Sequence, residues 1–145
     1  MHQDVAWARA TAEFVQKMYF DKTGWTILGQ ESYPTGTSDF SSSLMKARSM
    51  GAQVIMPIFD MPQSGTVVKQ WNPMKVPAVL AGFISPLAGS DAWKTFDGKI
   101  AGSMNTIFEM GSAIASDKVP ASVAFYTNYE KKYGKKIQAG HGPAP

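Results

Sequence analysis

The chain has no cysteine among its 145 residues, so neither a disulfide framework nor a thiolate metal site is open to it. Histidine is nearly as scarce. His2 and His141 stand at opposite ends, neither has a second ligand at metal spacing, and each reads as a surface residue. A strong charge of one sign is missing too: 14 Lys and Arg against 11 Asp and Glu leave a net charge of +3. The one basic cluster, Lys131-Lys132-Tyr133-Gly134-Lys135-Lys136, closes an expected helix, where cations complement the dipole, and it makes no nucleic-acid patch. No apolar run approaches the roughly 20 residues of a membrane span. Met1-His2-Gln3-Asp4 leads straight into an amphipathic segment, so no signal peptide is expected within this chain. Catalytic motifs are absent as well. There is no phosphate-cradling Gly-x-x-x-x-Gly-Lys-Ser/Thr loop and no Gly-x-Ser-x-Gly elbow. Gly140-His141-Gly142 lacks the third glycine and the following helix of a dinucleotide site. Ser41-Ser42-Ser43 lies within an expected helix with no base nearby and reads as surface hydroxyls. No enzyme and no cofactor are expected.

What is present is alternation. The apolar share of 44% is that of an ordinary globular chain, and the length is that of one domain. Asp4 is placed to cap a helix running to about Phe20, with Trp7, Ala10, Phe14 and Met18 on one apolar face and Val15 and Tyr19 beside it. Trp25 to Gln30 reads as a strand. Gly36 to Asp39 then offers turn and cap residues for a helix whose face is Phe40, Leu44 and Ala47, and Gly51 suits a left-handed end. Gln53 to Phe59 is a second strand, so this stretch forms a crossover unit joining parallel, doubly buried strands. A short helix over Thr66 to Trp71 is stopped by Asn72-Pro73. Pro77 to Phe83 is a third strand, Asp91 to Phe96 at most a short helix, and Lys99 to Met104 a weaker fourth strand. Asn105 to Ala115 stays ambiguous between helix and irregular crossing. Pro120 opens a final helix carrying Val123, Tyr126, Tyr129 and Tyr133, and Gly134 ends it. This order predicts an α/β fold: an open, mostly parallel sheet with helices on both faces. The series begins on a helix with a strong apolar face. The strand before it would be central, and Met1-His2-Gln3 is long enough only for its tail.

In an open parallel sheet, ligands bind beyond the carboxyl ends of the strands. Asp4, Asp39 and Asp60 all fall near that edge. Asp4 and Asp39 suit helix caps, whereas Asp60 follows a strand directly and stands equally well for a residue facing a ligand. Trp7 lies in the first helical turn, where core packing and a place at the edge are both open. Phe59, Phe83 and Ile84 put apolar side chains at strand ends, as a greasy cleft wall or as edge packing. The nine methionines read mostly as core filler.

Asp4-Val5-Ala6-Trp7-Ala8-Arg9-Ala10, Gly36-Thr37-Ser38-Asp39-Phe40-Ser41 and Gly51-Ala52-Gln53-Val54-Ile55, in this order and spacing, resemble the type I periplasmic solute-binding proteins. The branch they resemble is that of the branched-chain amino acid (Leu/Ile/Val) receptors of ABC importers. Tyr129-Glu130-Lys131-Lys132-Tyr133-Gly134-Lys135 is similar to that family's helix end before a Pro-rich loop. Each motif is soft alone, but together they cover nearly the whole chain. The resemblance implies two α/β lobes that close on a small molecule. Residues 1–145 match part of the carboxyl-side lobe, so the chain is expected to be a fragment lacking most of that lobe's first strand and the other lobe. The implied partners are a small-molecule ligand, the first lobe and, for the intact protein, an ABC permease. The implied location is the periplasm or the cell exterior, with a lipid anchor compatible.

By position, the resemblance places ligand contacts at Trp7, at Phe59, Asp60 and Met61, and at Phe83, Ile84 and Ser85. Amino-acid binders of the family often have Tyr where Trp7 stands, an acid in the loop of Phe83, Ile84 and Ser85, where this chain has Ile84 and no acid, and Gly where Ala8 stands. With those departures an apolar or aromatic acid fits as well as an amino acid, and Asp60 is the only charged candidate. A ligand-sensing domain of the same fold is the alternative function. A doubly wound enzyme or phosphoacceptor domain using Asp4 and Asp60 is weaker, because Lys99 precedes its strand where that chemistry wants a Lys after one. A sheet short of a central strand exposes backbone edges and apolar faces, so a homodimer is expected, by element exchange across the gap if that route is open.

Overall fold

The computed structural model describes residues 1–89, 91–106 and 117–134. Its six strands are all parallel: β1 (His2–Gln3), β2 (Ser32–Tyr33), β3 (Val54–Ile55), β4 (Ile58–Phe59), β5 (Val79–Ile84) and β6 (Met104–Asn105). Val54 pairs with Val79 and Ile58 with Phe83, so β3 and β4 continue one register along a single edge of β5. The expected strand over 53–59 is therefore one path broken in the middle. The break is Met56-Pro57, where proline has no N–H for the ladder. The Pro57 carbonyl still accepts from the Phe83 amide at 2.8 Å. Gly82 makes that approach possible, since a β-carbon there would lie 2.1 Å from the Pro57 oxygen. β1 sits between β2 and β4, and β6 pairs with the far edge of β5.

Helices α1 (Ala6–Met18), α2 (Ser41–Ser49), α3 (Thr66–Trp71), α4 (Ala92–Thr95) and α5 (Pro120–Tyr133) alternate with the strands. The core lies where α2 and α3 meet the sheet. Tyr33, Phe40 and Phe59 form an aromatic triangle with ring centroids 5.1 to 5.7 Å apart, surrounded by Leu44, Ile55, Met61, Val67, Val68, Leu80 and Ile84. The Trp71 indole N–H donates to the Ala78 carbonyl at 2.9 Å, so its polar edge is satisfied while the ring is buried.

Several expectations change. Trp25 to Gln30 forms no strand. β2 comes later, at Ser32–Tyr33, because only the two residues of β1 lie alongside to pair with it. The apolar stripe of α1 is not covered: Trp7, Phe14, Met18 and Tyr19 are exposed, and Ala8 is the helix's one buried residue. Helix α5 likewise buries none of its residues, although it runs from Pro120 to the left-handed Gly134 as its sequence indicates. The fourth strand is displaced to Met104–Asn105 by the turn at Asp97-Gly98 and the loop that follows. Most of the ambiguous stretch from Asn105 to Ala115, together with Lys135, Lys136 and the tail holding His141, lies outside the described residues.

His2 is buried rather than at the surface, because it is a residue of the central strand. Its Nδ1 lies 3.0 Å from the Gln3 carbonyl and its Nε2 lies 3.1 Å from Gln30 Nε2. Asp4 does not cap α1. It pairs with Arg9, and Val5 occupies the N-cap with no side-chain bond to the helix. Asp39 does accept a first-turn amide, that of Ser41 at 3.0 Å, and also the Gln70 side-chain amide at 3.0 Å. Bonds from the Ser41 hydroxyl and amide and from Gln70 hold the Asp39 carboxyl below its ordinary range. Asp39 thus ties α2 to α3, a structural duty.

Candidate functional site

Because every strand is parallel, the turns that follow β1, β4 and β5 emerge at one end of the sheet. That end carries Trp7, Asp60, Phe83 and Ser85. Trp7 and Phe83 meet edge to face with centroids 6.4 Å apart, in the geometry aromatic quadrupoles favour. Trp7 keeps 40% of its surface exposed, and Asp60 is exposed in the turn after β4. Phe83 and Ser85 are half-buried. The other candidates turn inward: Phe59, Met61 and Ile84 are fully buried in the core on the α2 and α3 face. Alternation along a strand separates them, since neighbours in sequence point to opposite faces.

Two polar residues that sequence reasoning passed over hold this edge in place. Gln3, buried at the end of β1, donates through Nε2 to Thr35 Oγ1 at 2.8 Å and accepts the Asp60 amide on Oε1 at 3.1 Å. It thereby fixes three turns relative to one another. Asn105 accepts the Ile84 amide at 2.8 Å on Oδ1, while its Nδ2 is buried without a partner among the described residues. For Asn105 the available signal was a polar amide at the end of the fourth strand; Gln3, in the two-residue β1, offered none. With no side-chain cap on α1, the first-turn amides are directed to this edge, where a carboxylate suits the positive end of the helix dipole. The edge thus combines an aromatic contact, the exposed acids Asp60 and Asp4, the latter paired with Arg9, and an uncapped helix start. No group of three or more His, Asp or Glu residues able to hold a metal occurs among the described residues.

A periplasmic binding protein profile matches residues 1–143, and the chain belongs to that family, which is one of solute-binding proteins and not of enzymes. Solved structures agree on the fold. A solute-binding protein of R. palustris, in complex with benzoate, superposes with a TM-score of 0.69 at 12% identity. A leucine-binding protein of Thermotoga maritima gives 0.66 at 17%, and a Brucella ovis protein binding leucine, isoleucine, valine, threonine and alanine gives 0.63 at 16%. Each match covers 94% of this chain but only 36%, 38% and 34% of the other. The chain therefore spans little more than a third of the length of these proteins. No curated protein sequence matches it. Family membership implies a periplasmic location, and no described helix is long and apolar enough to cross a membrane.

Proposed function

We propose that this chain is one ligand-gripping lobe of a two-lobe solute-binding protein that serves an ABC importer. The observation that carries the reading is the convergence of Trp7, Phe83 and Asp60 at the carboxyl edge of a parallel sheet. Such an edge covers one side of a small molecule, and a second lobe closing over it supplies the rest of the burial. An aromatic wall next to an uncapped helix start suits a small carboxylic acid with an apolar or aromatic body. Asp60 adds a partner for the ammonium of an amino acid. Leucine and benzoate, ligands named for structures of the same fold, are the natural probes. The exposed stripe of α1 further supports self-association of this chain, which mass measured by light scattering at rising concentration checks.

Calorimetric titration of the chain with leucine and with benzoate tests the ligand reading. Weak binding of one of them, lost in Trp7→Ala, is the expected result. If Asp60→Asn weakens leucine and spares benzoate, the edge selects an amino acid. Binding of either probe that is indifferent to Trp7 removes this edge as the site.

A further inference from the structure

The carboxyl end of β5 is held from both sides, by different chemistry on each. On the β4 side the Phe83 amide donates to the Pro57 carbonyl at 2.8 Å. On the β6 side the Thr106 amide donates to the Gly82 carbonyl at 2.6 Å. A parallel ladder continued from there would offer the Ile84 amide a main-chain carbonyl. That amide donates instead to the Asn105 side chain, with Oδ1 at 2.8 Å. β6 ends at Asn105, so this side chain supplies the last rung just before the turn Ser85–Leu87.

The rung fixes more than Ile84. The peptide unit joining Phe83 to Ile84 carries that amide, so its orientation sets the backbone angle of Phe83. Phe83 in turn presents its ring to Trp7, with 6.4 Å between centroids. What Asn105 adds in stability is small. One hydrogen bond is gained through Oδ1, while Nδ2 is buried with no partner among the described residues. An orphaned buried donor costs about as much as a hydrogen bond contributes. A leucine of similar size would exchange one orphaned donor, Nδ2, for another, the Ile84 N–H. The amide is therefore kept for the direction it imposes, and a local rule broken in this way marks a position that serves a site. We infer that Asn105 is a positioning residue of the ligand edge, acting through the Ile84 amide to hold Phe83 against Trp7. The inference rests on the proposed ligand-gripping role of that edge. It governs the apolar or aromatic body of the ligand, the part a ring wall contacts. Asp60 is anchored separately, by Gln3, and stays in place without it.

The test compares the unmodified chain with Asn105→Leu, which removes the acceptor, and with Asn105→Asp, which keeps one at the same reach. Nuclear magnetic resonance reads the Trp7–Phe83 ring contact and the exchange rate of the Ile84 amide without ligand, with the Tyr33–Phe59 contact as the fold control. In Asn105→Leu the Ile84 amide should exchange up to about tenfold faster and the Trp7–Phe83 contact should be lost. The thermal midpoint should move by less than about 4 °C, since one orphan replaces another. Leucine or benzoate, whichever the unmodified chain binds, should bind up to about tenfold more weakly. Asn105→Asp should restore both the contact and the affinity. A midpoint that collapses while the Trp7–Phe83 contact persists shows a merely structural residue and overturns the proposal. Unchanged probe affinity in Asn105→Leu, or no recovery in Asn105→Asp, overturns it too. If a variant fails to fold, the unmodified chain decides: a coupling through the hydrogen bond between the Ile84 amide nitrogen and the Asn105 side-chain carbonyl is expected, and its absence overturns the assignment. Failure of both probes to bind the unmodified chain counts against the proposed function alone, because the ring contact is read in their absence.

Discussion

The two faces of this sheet are built from the same strands yet differ sharply. On the face covered by α2 and α3, Phe40, Phe59, Leu44, Val67 and Val68 are fully buried. On the face covered by α1, the helix brings a full apolar stripe and buries only Ala8, leaving Phe14 63% exposed. The first face is sealed because two helices and an aromatic triangle fill it. Among the described residues the second is met by α1, beside which lies an opening lined in part by residues 24–31 and 51–56. Stability is therefore concentrated on one face, while the surfaces free to bind lie at the margins of the other.

Substitutions on the two faces should separate accordingly. Phe59→Ala empties the centre of the triangle and should cost about 3–5 kcal/mol in denaturant unfolding. A cost under about 1 kcal/mol would mean that this face is not the core. Next in size is the Met1 amine. Its pKa falls from 8.0 to about 6 on folding because burial disfavours the charged form. The unfolded chain then binds more protons between those values, so stability rises from pH 6 to pH 8, by roughly 2 kcal/mol. A flat unfolding profile across that window would contradict the buried amine.

Glu31 acts at the opposite end of the pH scale. Hydrogen bonds from Lys46, Ser43 and Tyr33 hold its carboxyl at about 2, down from 4.5. Its contribution is complete above pH 4.5 and is lost as pH falls toward 2. Glu31→Gln should flatten that acid limb and leave the window from pH 6 to 8 unchanged, as acid titrations of both chains followed by circular dichroism would show. The smallest stability effect is expected at the margin of the open face. Trp7→Ala should shift stability by only about 0.5 kcal/mol in urea unfolding, since the side chain is far from sealed. A loss as large as that of Phe59→Ala would make Trp7 a core residue and end its claim to a ligand.

Much of this architecture was legible before any coordinates. The helix and second strand of the crossover unit, the stop at Asn72-Pro73, the Gly134 end of the last helix and the parallel alternation follow from apolar period and punctuation, which are local properties. What escaped was non-local. Trp25 to Gln30 has strand composition but no strand beside it, and composition cannot show a missing neighbour. His2 looked like a terminal surface residue, yet it is buried because its strand is central. At the candidate site, position along the chain placed these residues at the carboxyl edge of the sheet but did not show which side chains point outward. Phe59 and Asp60 are adjacent, and the pleat sends one into the core and leaves the other in solvent. Gln3, which joins the turns, could be recognised only once β1, Thr35 and Asp60 were seen together.

The most direct test of the ligand edge is to map amide shifts by nuclear magnetic resonance while titrating the chain with leucine and with benzoate. The account predicts shifts grouped at Trp7, Asp60, Phe83 and Ser85, with a Kd of about 1 mM or weaker, because a single edge covers only part of a ligand. Shifts grouped instead at residues 24–31 and 51–56, or micromolar binding by this chain alone, would contradict it.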